Sequence, residues 1–168
     1  MLALRLVITS LGLLCCCIVH AGESDGVSYV YDGDTVQIST LQLAGAQGQF
    51  KLRLNDIDAP ERNQPYGLKA RRALMKLCQG AHIEVKVEIT GTDQYGRQLG
   101  KLNCNGTDAS LYLVEQGYAW HSAKFSNDNK LKQAAANARE NKRGLWQDPN
   151  PMAPWLWRKR NLQTQSNH

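Results

Sequence analysis

The chain has 168 residues, 42% of them hydrophobic, with 20 lysines and arginines against 15 acids and a formal net charge of +5. This length predicts one domain that buries a core of its own, which excludes dependence on a disulfide framework. An excess of basic over acidic residues is compatible with a polyanionic partner, but it is equally compatible with an ordinary soluble surface. Charge alone therefore does not identify a nucleic-acid-binding protein.

Residues 1–21 have the order of a secretory signal peptide. Arg5 precedes an uncharged, largely apolar run over residues 6–19, and Val19-His20-Ala21 forms a small-residue cleavage site. A retained membrane anchor is the alternative, but the run is shorter than the roughly 20 residues that span a bilayer. We expect a secreted or periplasmic protein with no stable membrane association after cleavage. The mature chain keeps a net charge of +4, because Arg5 leaves and no acid does.

Two cysteines, Cys78 and Cys104, remain in the mature chain. In an oxidising compartment two cysteines without further cysteines in the mature chain more often form a disulfide than remain free, although two separate buried thiols are the alternative. A zinc site is not indicated, because neither cysteine has a second ligand at C-x-x-C or H-x-x-x-H spacing.

Hydrophobic periodicity predicts strands in the first part of the mature chain. Residues 27–38 carry aromatic and β-branched side chains around an acidic turn, and residues 49–54 place Phe50, Leu52 and Leu54 on one face. Because successive side chains of a strand point to opposite faces, Arg53 is able to leave the core. Residues 41–48 form a loop or hairpin.

The rest of the domain alternates between helices and strands. An apolar stripe predicts a helix over residues 66–79, and two further helices follow at 108–116, capped by Asp108, and from Ser126 or Asn127 to Arg143. Between the first two, residues 82–90 alternate regularly and pair with a strand near 99–102. This order indicates an α+β fold, with one domain over 22–148.

Residues 149–168 form a tail rich in proline, tryptophan and basic residues. We expect its tryptophans to cover apolar surface of the domain. The alternative is that aromatic side chains interleaved with arginine and lysine stack on exposed bases.

Three motifs carry the chemistry: YDGDT at 31–35, RLNDIDAPE at 53–61 and DQYGR at 93–97. Hard carboxylate oxygens suit Ca²⁺ or Mg²⁺. Two arginine forks, Arg53 and Arg97, suit a phosphoryl group whose negative charge grows as it is attacked. Together the motifs favour a metal-assisted phosphodiesterase.

Each acid of these motifs, taken singly, is also an ordinary turn residue, because Asp-Gly and Asp-Ala-Pro are common turn formers. We keep that interpretation for Asp56 and leave it out of the site. For Asp32, Asp34, Asp58 and Glu61 the turn interpretation is weaker, because a surface turn requires neither Arg53 nor Arg97. His121 could lie near a substrate, but it is interpreted as a partly exposed surface residue.

In this order, YDGDT, R-x-x-x-x-D-A-P-E and D-x-Y-G-R resemble the thermonuclease, or staphylococcal nuclease-like, family over residues 27–146. The resemblance implies an OB-fold five-stranded β-barrel with about three packed α-helices. It also implies one bound Ca²⁺, with Mg²⁺ or another divalent ion as the alternative, and DNA and RNA as substrates. Oligonucleotide binding is a general use of that fold.

The resemblance also assigns roles to individual residues. Arg53 and Arg97 correspond to the two phosphate-binding arginines, and Glu61 to the acid that positions or deprotonates the attacking water. The other correspondences are the metal ligands Asp34, Asp58 and the carbonyl of Ala59, the outer-shell acid Asp32 and the substrate-binding Tyr95.

The chain departs from the family pattern where nucleotides bind. Gln94 stands where the staphylococcal enzyme has a lysine near a terminal phosphate, and Ala123 with Phe125 stand for two tyrosines beside the base. The loop after Glu61 is also shorter, which leaves nucleotide preference open.

The motifs and the resemblance together predict an endonuclease, which we expect to be a monomer, and the resemblance implies that it cuts the 5′ P–O bond of DNA or RNA and leaves 3′-phosphates. A non-catalytic OB-fold nucleic-acid-binding module is the alternative, and the presence of every catalytic residue disfavours it. The five-stranded plan brings the end of the first helix beside the strand after Arg97. We therefore expect a disulfide between Cys78 and Cys104.

We expect cleavage after Ala21 on export, because Arg5, the apolar run and Val19-His20-Ala21 occur in the order of a signal peptide. N-terminal sequencing or intact mass of the exported protein would then give a mature chain that begins at Gly22. A mature chain that still carries Cys15 would contradict this expectation.

Overall fold

The structure is a computed structural model that describes residues 26–41 and 47–166. The predicted signal peptide, residues 1–21, lies outside the described residues, as does the middle of the predicted 41–48 loop. Within the two described ranges, no helix has both the length and the apolar character of a membrane span.

A mixed sheet of five long strands forms the body of the fold. The strands of the described residues are β1 (Gly26–Val30), β2 (Thr35–Leu41), β3 (Gln47–Leu54), β4 (Ile57–Asp58), β5 (Val85–Thr92), β6 (Gln98–Cys104), β7 (Thr107–Asp108) and β8 (Trp120–His121). The sheet order is β1-β2-β3-β6-β5, with short β7 beside β6; β3 and β6 pair in parallel, and the other described pairs of this sheet are antiparallel. Among the described residues no pairing of β1 with β5 closes a barrel. The predicted barrel is therefore a partly open, OB-like sheet.

In the described part of the chain four α-helices accompany the sheet, where the sequence predicts about three: α1 (Gly67–Cys78), α2 (Ala109–Glu115), α3 (Asn129–Glu140) and α4 (Pro154–Ser166). Asp108 caps α2 as predicted, because its carboxylate accepts a hydrogen bond from the backbone NH of Leu111 at 2.9 Å. The additional helix, α4, is formed by the tail, in which the sequence analysis predicts no helix.

The bounds predicted for α3 are wrong at both ends. Asp128 is its cap, so the helix begins after Ser126 and Asn127. It ends before Arg143 because Lys142 adopts a left-handed φ of 50°, and the NH of Arg143 bonds back to the carbonyl of Ala138 at 2.9 Å. Such a residue is a common helix stop.

The buried faces of strands and helices meet in one core. Leu52 and Leu54 of β3 are buried, as the alternation predicts, and α1 buries Ala70 and Leu74. The strand predicted at 82–90 is shifted to Val85–Thr92. Its Ile89, on the same face as Val85 by the predicted alternation, is 52% exposed although it keeps the register of Val85 against β6; the residue opposite it is Gly100, which has no side chain, and the bulge follows between Ile89 and Gly91.

Cys78, at the end of α1, and Cys104, at the end of β6, form the expected disulfide, with their Cα atoms 5.2 Å apart. Both residues are buried in the core. The bridge therefore links the first helix to a central strand of the sheet.

Replacing both residues, Cys78→Ala with Cys104→Ala, should lower the free energy of unfolding by roughly 3 to 4 kcal/mol in the chain-entropy account of a disulfide. The reason is that the bridge spans a sequence separation of 26 residues and so restricts the unfolded chain. Urea denaturation of oxidised wild type and the double variant measures the difference. Two free thiols in unreduced, denatured wild type would contradict the premise.

Candidate active site

The acidic turn between β1 and β2 depends on Gly33. A Cβ atom at this position would lie 2.6 Å from the Cβ of Ala59 and 2.7 Å from that of Ala70. The NH of Asp34 donates to Asp32 Oδ1 at 3.0 Å, which closes the turn. Because the glycine has no side chain, Asp34 can approach Ala59, whose NH donates to Asp34 Oδ2 at 2.6 Å.

Asp34 is a buried carboxyl, only 4% exposed. Burial raises its pKa well above the ordinary value for aspartic acid; Arg53 and the NH of Ala59 lower it, and the charge of Asp32 raises it further. The ionised form of such a group is stabilised when another cation lies beside it.

Arg53 joins two buried acids from different segments. Its Nη1 lies 2.8 Å from Asp34 Oδ2, and its Nη2 lies 3.1 Å from Asp58 Oδ1. The sheet sets this arrangement, because Arg53 of β3 pairs with Thr35 of β2, the residue after Asp34. Arg53 thus leaves the core face, as predicted, and contacts both expected metal ligands.

The two aspartates after Arg53 have different roles. Asp56 lies in the turn between β3 and β4 with a left-handed φ of 66°, and its carbonyl accepts a hydrogen bond from the NH of Ser122 at 2.8 Å. Asp58 is 6% exposed and pairs in β4 with Trp120 of β8. The structure is consistent with Asp56 as a turn residue and places Asp58 in the site.

Glu61 lies in a tight turn before α1. Its NH donates to Gln64 Oε1 at 3.1 Å, and its carbonyl accepts from the NH of Gln64 at 2.8 Å. Gly67 packs directly behind this turn, where a Cβ would collide with the Glu61 carbonyl oxygen. The backbone of Glu61 is therefore fixed, while its side chain is 34% exposed to the cleft.

Arg97 is positioned by the DQYGR turn. Asp93 Oδ1 accepts hydrogen bonds from the NH groups of Tyr95 and Arg97, and Oδ2 lies 2.7 Å from Arg97 Nε. Although partial burial raises the pKa of Asp93, these hydrogen bonds from Arg97 and Tyr95 lower it below the usual range. Among the described residues the terminal nitrogens of Arg97 have no carboxylate partner, and Tyr95 is 75% exposed.

All eight predicted site residues line one cleft of about 690 Å³. They come from three separated motifs, and the structure brings them together: Asp32, Asp34, Arg53, Asp58, Ala59, Glu61, Tyr95 and Arg97. Gln94 and Phe125, two of the departures from the family pattern, line the same cleft. His121 lines a second cavity of about 590 Å³ that adjoins it.

Sequence reasoning did not find Arg158, which also lines the cleft. Its guanidinium forms ion pairs with Asp58 and Glu61, each at 2.8 Å. The hydrogen bonds that Arg158 donates to Asp58 raise the pKa of Arg158 above its usual value; burial opposes this shift, and the hydrogen bond to Glu61 adds to it. The two partners lie 97 to 100 residues away in the chain, so no local pattern indicates this contact.

The acids of the cleft match the chemistry of a hard divalent cation. Asp34 and Asp58 are buried carboxylates that share one guanidinium, and Ala59 lies between Asp58 and Pro60 in the same cleft. Among the described residues, no three His, Cys, Asp or Glu side chains form a metal-holding group. The expected set has two carboxylates and a carbonyl, and Ca²⁺ commonly completes such oxygen sets with water.

Comparison with known proteins identifies relatives of the chain. The family model for staphylococcal nuclease homologues matches residues 51–148. An uncharacterized endonuclease of Escherichia coli O157:H7 is 36% identical over 132 residues, which cover 78% of this chain and 82% of that protein. One of Haemophilus influenzae is 34% identical over 130 residues, 77% of this chain and 70% of that protein.

Plant relatives match a shorter stretch. Staphylococcal-like nuclease CAN1 of Arabidopsis thaliana is 37% identical over 111 residues, or 66% of this chain. The chain spans about a third of the length of such plant relatives. Since the family match extends from Lys51 through most of the domain and includes Arg53, Glu61 and Arg97, this chain belongs to the family of staphylococcal nuclease homologues.

Proposed function

We propose that this protein is a divalent-metal-dependent endonuclease that hydrolyses phosphodiester bonds in DNA or RNA, with Ca²⁺ as the first candidate metal. The main observation behind the proposal is that Arg53, Glu61 and Arg97 line one cleft. The buried aspartates Asp34 and Asp58 line the same cleft. Membership of the family supports it, and so do the names nuclease and endonuclease that relatives carry.

The proposed reaction is a direct displacement at phosphorus. Arg53 and Arg97 bind the phosphoryl oxygens and offset the negative charge that grows during attack. Glu61 accepts a hydrogen bond from the attacking water and takes its proton. A cation held by Asp34, Asp58 and the Ala59 carbonyl would act as a Lewis acid on the phosphoryl group. By family resemblance, the 5′ P–O bond breaks and a 3′-phosphate remains.

Two aromatic side chains at the cleft suit an unpaired strand as substrate. Tyr95 is 75% and Phe125 78% exposed, and both line the cleft. Exposed aromatic rings stack on bases without regard to sequence, which a non-specific nuclease requires. The same rings would serve a non-catalytic binding module, so cleavage and binding have to be measured separately.

We further propose that the protein acts outside the cytoplasm as a monomer. The signal-peptide pattern of residues 1–21 supports export. The disulfide between Cys78 and Cys104 supports it too, because such bridges persist in oxidising compartments.

Glu61→Gln, Arg97→Lys and Arg53→Lys should each reduce turnover on the order of 10² to 10³-fold, as losing an aimed group at a transition state does. Lysine should not restore activity, because its point charge cannot form the two-point contact of a guanidinium. Matched controls are Glu140→Gln and Arg72→Lys, both at exposed helix positions.

Cleavage of single-stranded DNA, duplex DNA and RNA by these variants is the measurement, with circular dichroism as the check on folding. Glu61→Gln should keep much of its nucleic-acid binding. If folded variants cut as fast as wild type, these residues do not form the active centre. If wild type binds nucleic acid and never cuts it, the binding module takes the place of the enzyme.

Chelation should abolish cleavage, and Ca²⁺ or Mg²⁺ should restore it. Ca²⁺ should also raise the midpoint of thermal unfolding, because a ligand at about 100 times its dissociation constant adds about 2.7 kcal/mol to stability. Asp58→Asn should lose this shift, whereas Asp148→Asn, an exposed control, should keep it. Full activity in chelator would contradict a metal requirement.

A further inference from the structure

Arg158, in the second turn of α4, contacts the acids on both sides of Pro60. Its Nη2 lies 2.8 Å from Asp58 Oδ2 and its Nη1 3.1 Å from Asp58 Oδ1, a two-point contact on one carboxylate. Nη1 also lies 2.8 Å from Glu61 Oε1. Because a guanidinium is planar and rigid, this contact sets the Asp58 carboxylate relative to that of Glu61.

The helix that carries Arg158 is attached to the domain by its tryptophans. Trp157 Nε1 donates to Asn63 Oδ1 at 3.2 Å. The ring of Trp155 packs edge-on against Trp120, with 5.4 Å between centroids. Arg158 thus follows two anchored residues, and its reach to the cleft is set by the packing of α4.

A second attachment connects the start of α4 to the turn of Glu61. Gln64 Oε1 accepts a hydrogen bond from the Glu61 NH at 3.1 Å, while Gln64 Nε2 donates to the Met152 carbonyl at 2.6 Å. Gln64 is 5% exposed, so these hydrogen bonds are shielded from solvent. The backbone of Glu61 and the C-terminal helix are therefore held by one buried side chain.

Arg158 also changes the charge of the cleft. Four carboxylates line it: Asp32, Asp34, Asp58 and Glu61. Arg97 has its ion pair with Asp93, so among the described residues Arg53 and Arg158 are the cations that contact these acids. Removing Arg158 would favour a divalent cation at Asp58 and disfavour an incoming phosphodiester.

We propose that Arg158 is a positioning residue of the nuclease site, which holds the Asp58 and Glu61 carboxylates in the arrangement that hydrolysis needs. This inference rests on the proposed function. The same guanidinium opposes cation binding, because it places a positive charge on Asp58. Loss of Arg158 therefore slows turnover and tightens Ca²⁺ binding at the same time.

This combination separates positioning from two simpler roles. If α4 merely blocked the cleft, removing Arg158 would tighten Ca²⁺ binding and speed turnover. If Arg158 were needed only for folding, its removal would weaken both. Neither role gives tighter binding together with slower cleavage.

The test compares wild type, Arg158→Gln, Arg158→Lys and the matched control Arg160→Gln, which lies on the same helix and outside the cleft. Calorimetry measures Ca²⁺ affinity, and steady-state cleavage of single-stranded DNA at saturating Ca²⁺ measures kcat. Arg158→Gln should lose roughly 10- to 100-fold in kcat, as outer-shell partners of metal ligands do. It should bind Ca²⁺ roughly fivefold or more tightly, the usual lower range of coupling between sites.

Arg158→Lys keeps the charge and loses the planar fork, so its Ca²⁺ affinity should stay near wild type while kcat falls. Unchanged or faster kcat in Arg158→Gln, or weaker Ca²⁺ binding, would overturn the proposal. If Arg158→Gln does not fold, a wild-type kcat in Arg158→Lys is by itself enough to overturn the proposal. If the wild-type protein cuts no substrate, the proposed function is wrong. If the wild-type protein is active, a negative result with the variants contradicts only the role of Arg158.

Discussion

The bridge from Arg53 to Asp34 and Asp58 is the interaction on which the rest of the site depends. Both acids are at least 94% buried, and a carboxylate taken out of water costs several kcal/mol unless a charge compensates it. Arg53 supplies that charge from an inner strand of the sheet, with one terminal nitrogen for each acid. The pairing of β2 with β3 sets the spacing, so the acidic end of the cleft is as rigid as the sheet itself.

The part of the cleft that the DQYGR turn forms is built differently. Arg97 and Tyr95 lie on a turn that the Asp93 carboxylate and two backbone hydrogen bonds close, and Tyr95 is 75% exposed whereas the Arg97 side chain is 34% exposed. A rigid, buried end suits a cation and the reacting phosphorus, which require exact distances. An exposed aromatic and basic end suits nucleotides of any sequence, since phosphate and base faces recur along every strand.

The C-terminal helix extends the rigid part of the site beyond the sheet. Arg53 precedes Asp58 in the chain and Arg158 follows it by 100 residues, and both donate to the same carboxylate. Asp58 therefore accepts hydrogen bonds from two guanidinium groups. The turn after Glu61 is hydrogen-bonded to the same segment, through Gln64 to the Met152 carbonyl and through Asn63 to Trp157. A segment with the composition of a tail is thereby part of the electrostatics of the cleft.

The sequence by itself determined the elements whose cause is local. Alternation placed Leu52 and Leu54 inside and Arg53 outside, and Asp108 was recognisable as a cap from its position before an apolar run. The three motifs indicated the chemistry of the site through their carboxylates and arginines, and their resemblance to the staphylococcal nuclease family supplied the role of each residue. Only the tertiary structure decided that Ile89 is exposed although it keeps the register of Val85 against β6, and that Arg158 contacts Asp58. The burial of a strand residue depends on what packs over it, and the contact of Arg158 with Asp58 joins residues 100 positions apart, so neither spacing nor composition records either feature.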